Sequence, residues 1–159
     1  FEDVNEVANN SDYIFTGIQG IDSILNQKIS LANSLNIKSK ITINIDNKIN
    51  IDDIDLAIIL GNLLDNAIEN IDYKDKLFWV EMKIINEYLF IKVTNTINES
   101  TKEKNTWLIT KKENKENHGY GILSIKSIVS KYEGSLDFYE NNKVFKVEVL
   151  LKIPNTPEI

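Results

Sequence analysis

Residues 53–71 restrict the possible folds most strongly, because they predict a long amphipathic helix with two unlike faces. Asp52 and Asp53 open this helix, and acidic residues suit the positive N-terminus of a helix. At about 100° per residue its apolar side chains form one broad stripe that must be buried against another layer. That stripe consists of Ile59, Leu63, Leu64, Ala67, Ile68 and Ile71. The opposite, polar stripe consists of Asn62, Asp65, Asn66 and Glu69.

The rest of the chain is predicted to alternate between helices and strands. Apolar spacing over residues 3–35 predicts helix, and Gly17 and Gly20 leave open two helices or one kinked helix. The next predicted elements are a strand over 41–45 and paired strands over 77–85 and 88–95 through Asn86-Glu87. After Gly119 and Gly121 a helix is predicted to about Lys131, which Gly134 ends, followed by paired strands over 135–140 and 144–153 through Asn141-Asn142. This order predicts an α/β (α+β) two-layer sandwich, with helices on one face of a mostly antiparallel mixed sheet.

Composition narrows the chemistry that this fold can carry. The 159 residues include no cysteine and one histidine, which excludes a disulfide framework, a thiolate metal site and a multi-histidine site. All 18 basic residues are lysine, so a bound anion must be held by lysine, backbone N–H groups, helix ends or a metal. The net charge of −6 argues against nucleic acid as a partner. No apolar stretch approaches ~20 residues, so no direct membrane contact is expected.

The polar stripe of the 53–71 helix allows two interpretations. Asn62 and Asn66 are four residues apart, so they lie about 6 Å from each other along the helix axis. The first interpretation is a solvated polar face, which would by itself explain this pattern. The other interpretation is a ligand face, in which Asn66 offers a neutral oxygen to a hard cation such as Mg²⁺.

A glycine-bracketed turn leads into the later helix. Its sequence is Asn117-His118-Gly119-Tyr120-Gly121-Ile122. Glycines let a backbone approach phosphates closely, and a helix N-terminus presents free N–H groups. The turn is therefore a candidate phosphate site, and a flexible lead into an ordinary helix is the alternative.

Together, the two motifs resemble a known superfamily. Asn62-Leu63-Leu64-Asp65-Asn66-Ala67 resembles the N box of the gyrase/Hsp90/histidine-kinase/MutL ATP-binding superfamily, and His118-Gly119-Tyr120-Gly121 resembles its second glycine box. Residues 17–37 resemble sensor histidine kinases of the accessory-gene-regulator type, which respond to quorum-sensing peptides. The resemblance implies the Bergerat ATP-binding fold. It also implies a catalytic domain over 17–154, preceded by the tail of a dimerisation helix over 1–16 and followed by a tail over 155–159.

The resemblance also implies roles for the residues of the helix. Asn66 would coordinate the Mg²⁺ that bridges the ATP phosphates, and Asn62 would face the nucleotide one turn earlier. ATP-hydrolysing relatives hold a glutamate at the position of Asn62, where it activates water. A carboxamide cannot act as a general base, which favours phosphoryl transfer to a protein. Asn62 and Asn66 are therefore the expected catalytic residues, with Asp65 and Glu69 as alternative carboxylates nearby.

Further nucleotide contacts follow from the same resemblance. Most relatives carry an aspartate followed by two glycines after the second strand, where this chain has Asn95. The accessory-gene-regulator group commonly has asparagine there, so Asn95 is the candidate partner of the adenine amino group. Within a polar, lysine-rich connection over 96–117, residues 107–112 resemble the lid segment that folds over the nucleotide in the family. Lys111 is the candidate phosphate contact, with Lys112 and Lys115 as substitutes. The nucleotide site would be completed by His118, Gly119, Tyr120, Gly121 and Ile122. A strand-end turn residue and a solvated lysine run are the alternatives for Asn95 and Lys111.

His118 is not expected to be a phosphoacceptor, because an acceptor histidine would lie on an exposed helix of a dimerisation region. The chain begins with Phe1 and is expected to be a piece of a longer protein, with the acceptor upstream. Helix from Asp3 to about Tyr13 would be the end of that upstream region. The implied partners are ATP, the upstream dimerisation and phosphoacceptor region, and a response regulator. The implied location is a cytoplasmic domain of a membrane-bound sensor.

Other functions stay open beside the kinase. The chain could be an ATP-hydrolysing relative, although the glutamate is absent. It could be a degenerate nucleotide-binding or interaction module without catalysis, which the altered adenine motif allows. It could also be a serine/threonine anti-sigma kinase of the same superfamily, which its protein substrate would distinguish.

Overall fold

The computed structural model describes residues 6–8, 13–46, 48–98 and 119–156, the first of these ranges by its backbone alone. The elements are β1 (Glu6–Ala8), α1 (Gln19–Ser34), β2 (Lys38–Asn44), α2 (Asp53–Glu69), β3 (Leu77–Ile85), β4 (Tyr88–Thr96), α3 (Gly119–Lys131), β5 (Ser135–Glu140) and β6 (Val144–Lys152). The strands form one sheet in the order β1-β2-β3-β4-β6-β5. The β2–β3 pair is parallel and the other four pairs are antiparallel, which confirms the predicted mixed sheet.

The two faces of the sheet differ in polarity. One buried row crosses four strands in register and consists of Ile41, Val80, Val93 and Val147. On the opposite face, Glu81 forms ion pairs of 2.9 Å with Lys92 and with Lys83. The helices cover the apolar face, which gives the predicted two-layer sandwich. None of the helices in the described ranges has the length and hydropathy needed to span a membrane.

Local signals set several of the observed boundaries. The carboxylate of Asp52 accepts hydrogen bonds from the N–H groups of Ile54 (2.8 Å) and Asp55 (3.3 Å), which starts α2 at the predicted place. The β3–β4 hairpin turns at Asn86-Glu87, and Asn86 takes the left-handed conformation (φ 54°) that asparagine tolerates. The predicted strand pairs are therefore confirmed to within a residue or two.

The helix predicted over residues 3–13 is wrong at Glu6–Ala8, which form β1 and pair with β2. Helical spacing in a short segment is a weak signal, and pairing to the otherwise open edge of β2 outweighs it. Instead of two helices or a kinked one, a single helix begins at Gln19. Gly17, with φ 84°, lies in the turn before it.

The end of α3 differs from the prediction in one detail. The residue in the left-handed conformation is Glu133 (φ 48°), and the N–H of Gly134 closes the helix on the carbonyl of Val129 at 2.9 Å. Gly134 is needed for another reason, because a Cβ there would lie 1.9 Å from the carbonyl oxygen of Leu150. This glycine lets the chain pass close to β6.

Hydrogen bonds to the Asp55 carboxylate connect the end of α3 to the start of α2, and we call this group of contacts the Asp55 brace. Its Oδ2 accepts hydrogen bonds from Lys131 Nζ (2.6 Å) and from the Tyr132 hydroxyl (2.7 Å), and that hydroxyl accepts one from the Asp52 N–H (3.1 Å). Burial raises the pKa of Asp55, but the bonds from Lys131 and Tyr132 outweigh it and hold the pKa below its usual value. Burial and the Asp55 carboxylate raise the pKa of Tyr132, so Tyr132 remains a donor.

Removing the charge of Asp55 should weaken this brace in a pH-dependent way. Because folding lowers the pKa, the stabilisation is complete above the unfolded value of about 4 and is lost as pH falls through the folded value. We expect Asp55→Asn to lower the free energy of unfolding by about 2 kcal/mol near neutral pH, and the difference from the parent to shrink in acid.

Urea unfolding over a series of pH values measures this difference. Asp46→Asn is the control, because the exposed Asp46 accepts only a local bond from the Lys48 N–H, and it should change stability by less than about 0.5 kcal/mol. A loss in Asp55→Asn that is equal at neutral and acidic pH would contradict the role assigned to the carboxylate.

Candidate functional site

The two motifs predicted to act together meet where α2 passes the N-terminus of α3. Gly121 lies so close to α2 that a Cβ on it would be 2.8 Å from Asn62 Oδ1. The Asn62 Nδ2 donates to the carbonyl of Ile58 at 2.8 Å. The Asn62 Nδ2 is thus hydrogen-bonded within α2, and the Asn62 Oδ1 lies beside Gly121 in the first turn of α3.

Asn66 lies one turn further along α2 and is half-buried. Its Oδ1 accepts a hydrogen bond from Asn70 Nδ2 at 2.9 Å. An amide oxygen has two lone pairs, so Asn66 keeps one further acceptor position for a ligand.

Asp65 lies between the two asparagines and was an alternative carboxylate for catalysis. Its Oδ1 forms an ion pair with Lys28 Nζ of α1, and the Lys28 side chain is largely buried. The Asp65 carboxylate is therefore committed to the contact between α1 and α2.

Asn95 lies near the end of β4, on the sheet face that carries the helices, and is 2% exposed. Its Nδ2 donates to the carbonyl of Thr96 at 3.1 Å. This bond uses the Nδ2 of the buried amide and not its Oδ1, so the Oδ1 is a candidate acceptor for a ligand.

Thr96 links the end of β4 to the chain that leaves α2. Its carbonyl also accepts a hydrogen bond from the Asp72 N–H at 3.0 Å. Its hydroxyl donates to the carbonyl of Asp75 and accepts from the Leu77 N–H at 3.3 Å. Asn95 and the C-terminal turn of α2 therefore lie at the same end of the molecule.

The other predicted site residues are placed differently from one another. The helix begins earlier than predicted, because α3 already starts at Gly119 and includes Gly121, where a turn leading into the helix was expected. Ile122 packs, partly buried, against the core. Tyr120 is 67% exposed, so its ring does not fill the space between α2 and α3. Lys111, His118 and the lid from residue 99 onward lie outside the described residues.

The described residues fit Mg²⁺-ATP on three counts. The first count is the remaining acceptor position of Asn66 Oδ1, which could offer one oxygen to a cation that takes other oxygens from its ligand. Mg²⁺ commonly takes such oxygens from nucleotide phosphates. The other two counts are the free N–H groups in the first turn of α3, which includes Gly121, and the buried amide of Asn95.

Asn70, Lys28 and Thr96 were not predicted from the sequence. Asn70 follows Asn66 by four residues, and this spacing could have signalled a side-chain contact on one helix face. The roles of Lys28 and Thr96 depend on how elements that are distant in the sequence pack together. The residues around each of them therefore do not predict these contacts.

The family model of the GHKL domain matches residues 50–152, which include Asn62, Asn66, Asn95 and Gly121. Because this match covers more than half of the sequence, the chain belongs to the GHKL domain family. No curated protein sequence matches it.

Solved structures of histidine kinases share this fold. The histidine kinase AdeS of Acinetobacter baumannii matches with a TM-score of 0.67 and 11% identity, over 95% of this chain and 69% of that one. The catalytic domain of the histidine kinase ThkA matches at 0.68 and 12%, over 93% and 96%. The mycobacterial sensor histidine kinase MprB matches at 0.60 and 14%, over 96% and 100%. The chain thus has the α+β fold of histidine kinase catalytic domains, as predicted.

The contact between Gly121 and Asn62 can be tested by its effect on stability. Gly121→Ala should leave the free energy of unfolding within about 0.5 kcal/mol of the parent, because displacing the Asn62 amide from its bond to Ile58 offsets the gain from alanine, the better helix former. In an Asn62→Ala background the same change should raise stability by about 0.5–1 kcal/mol, because no amide is displaced. Urea unfolding of the four proteins measures this difference, and equal effects in both backgrounds would rule the contact out.

Proposed function

We propose that this chain is the ATP-binding catalytic domain of a two-component sensor histidine kinase. It transfers the γ-phosphate of Mg²⁺-ATP to a histidine upstream of this fragment, from which a response regulator receives it. The observation that carries the proposal is the contact between Asn62 and Gly121, which joins the two nucleotide-binding motifs around one site. Residues 17–37 support assignment to the accessory-gene-regulator, quorum-sensing type, as the cytoplasmic domain of a membrane-bound sensor.

Different residues of the chain bind different parts of the nucleotide. Asn66 holds Mg²⁺, which neutralises phosphate charge during phosphoryl transfer. Free N–H groups at the start of α3, over Gly119–Ile122, bind phosphate oxygens with the help of the helix dipole. Asn95 accepts a hydrogen bond from the adenine amino group. Lys111 adds positive charge from the lid, which His118 follows in the sequence.

Transfer rather than hydrolysis follows from the residues around Asn62. The bond between the γ-phosphorus and its bridging oxygen breaks, a phosphorus–nitrogen bond forms at the acceptor imidazole, and ADP leaves. Water is a poor competitor because the Asn62 amide cannot remove its proton. The nearby Asp65 is ion-paired to Lys28 and does not supply that base.

Removing the Asn66 amide should remove the metal-dependent part of ATP binding. We expect calorimetry to show that Mg²⁺ strengthens ATP binding to the parent domain, and that Asn66→Ala loses this gain, about tenfold or more. Radiolabelled ATP should pass label from the parent domain to the region encoded upstream, and Asn66→Ala should not support this transfer.

Ser34→Ala, in the last turn of α1, is the matched control and should bind and transfer as the parent does. Metal-dependent binding that survives in Asn66→Ala would contradict the assignment of Asn66. Steady phosphate release without the upstream region would favour an ATPase. No binding at millimolar ATP would favour an interaction module.

The acceptor role of Asn95 predicts a preference for a base with an amino group. Inosine triphosphate has a carbonyl where ATP has its amino group, so it should bind the parent at least about tenfold more weakly. Asn95→Leu keeps the size of the side chain but removes the acceptor, and it should bind both nucleotides with similar, weak affinity. Competition calorimetry measures the ratio, and an unchanged ratio in Asn95→Leu would show that Asn95 does not contact the base.

A further inference from the structure

Asn70 makes a contact for which the helix itself has no need. It is the C-cap residue of α2, and its Nδ2 donates to both the carbonyl and the side-chain Oδ1 of Asn66, each at 2.9 Å. The backbone N–H of Asn70 already donates to that same carbonyl at 3.1 Å. Capping therefore accounts for the backbone bond, and the bond to Oδ1 serves the Asn66 side chain alone.

The bond to Oδ1 decides which end of the Asn66 amide faces which neighbour. The oxygen and nitrogen of an amide have nearly the same size, so packing alone does not distinguish the two orientations. A donor fixed next to the amide selects the orientation in which the oxygen faces it. A side chain held in one orientation loses less conformational freedom when it binds a ligand.

We propose that Asn70 is a positioning residue for the nucleotide site, which orients the Asn66 oxygen toward Mg²⁺. The inference rests on the proposed role of Asn66 as the magnesium ligand. Asn70 contributes one donor to the first lone pair of Oδ1 and leaves the second lone pair for the cation. Partners of this kind hold a ligand's oxygen in place, and their removal commonly weakens metal binding about tenfold or more.

The test compares ATP binding with and without the metal. Asn70→Leu, which has a similar size and no donor, should weaken ATP binding about tenfold in Mg²⁺ and leave it within about twofold of the parent in EDTA. Asn70→Ala should behave in the same way. Ser34→Ala is the matched control, because Ser34 Oγ likewise donates to a backbone carbonyl at the end of a helix, that of Leu31 in the last turn of α1. It should leave both affinities unchanged.

A merely structural role for Asn70 would give a different pattern. Loss of a helix cap would lower the melting temperature and weaken binding equally in Mg²⁺ and in EDTA, which would overturn the inference. Tighter binding in Asn70→Leu would also overturn it, because it would mean that Asn70 competes with the cation for Oδ1.

An Asn66→Ala background separates this inference from the proposed function. If Asn70 acts through Asn66, Asn70→Leu should cause no further loss when Asn66 is already alanine. If Asn66→Ala abolishes the effect of Mg²⁺ while Asn70→Leu alone changes nothing, only the role of Asn70 is overturned. If Asn66→Ala itself leaves the effect of Mg²⁺ intact, both the magnesium assignment and this inference are overturned.

Discussion

The carboxylate of Asp55 is the contact on which the candidate site depends, because it fixes how α3 lies against α2. It joins the first turn of α2 to the last turn of α3 through Lys131 and Tyr132. The two helices also approach each other at a second point, where Gly121 lies beside Asn62. Asn62 follows Asp55 by seven residues in α2, and Gly121 lies at the opposite end of α3 from Lys131. The two helices therefore run in opposite directions, and the free N-terminus of α3 is brought beside the polar stripe of α2. Together with the buried side chains of Ile125, Ile128 and Val129 on α3, the Asp55 brace sets the distance of that N-terminus from Asn62.

Most of the fold could be predicted because its signals are local. The alternation in the paired strands and the turn residues Asn86-Glu87 fixed the β3–β4 hairpin, and the Asp52 cap fixed the start of α2. The failures occurred where distant contacts decide. Glu6–Ala8 form a strand because β2 offers them an edge to pair with, which their own spacing does not reveal. Gly134 is required by the approach of Leu150, not by the left-handed turn that its neighbour supplies.

The candidate site shows the same difference between features that the sequence predicts and features that depend on distant contacts. The contact of Asn62 with Gly121 agrees with a resemblance that joins two motifs separated by more than fifty residues, and composition alone did not predict it. The ion pair between Asp65 and Lys28 could not be predicted, because it depends on where α1 packs against α2. Asn70 was within reach of helical spacing, but asparagine is so frequent in this chain, 21 of 159 residues, that one more carried little information. The roles of Lys111 and His118 remain predictions from the resemblance.

Neutral amides in the site have an electrostatic consequence for a chain with a net charge of −6 and no arginine. A carboxylate close to a triphosphate would repel it, and no guanidinium is present to offset that repulsion. Asn62 and Asn95 stand where the resemblance places acidic residues in other members of the superfamily, and Lys28 neutralises Asp65. Each amide still offers an oxygen to a cation or a base. The same replacement at position 62 that removes the general base also removes a negative charge beside the phosphates. If the proposed function holds, the amide at position 62 would account both for weak hydrolysis and for less repulsion of the phosphates in a chain without arginine.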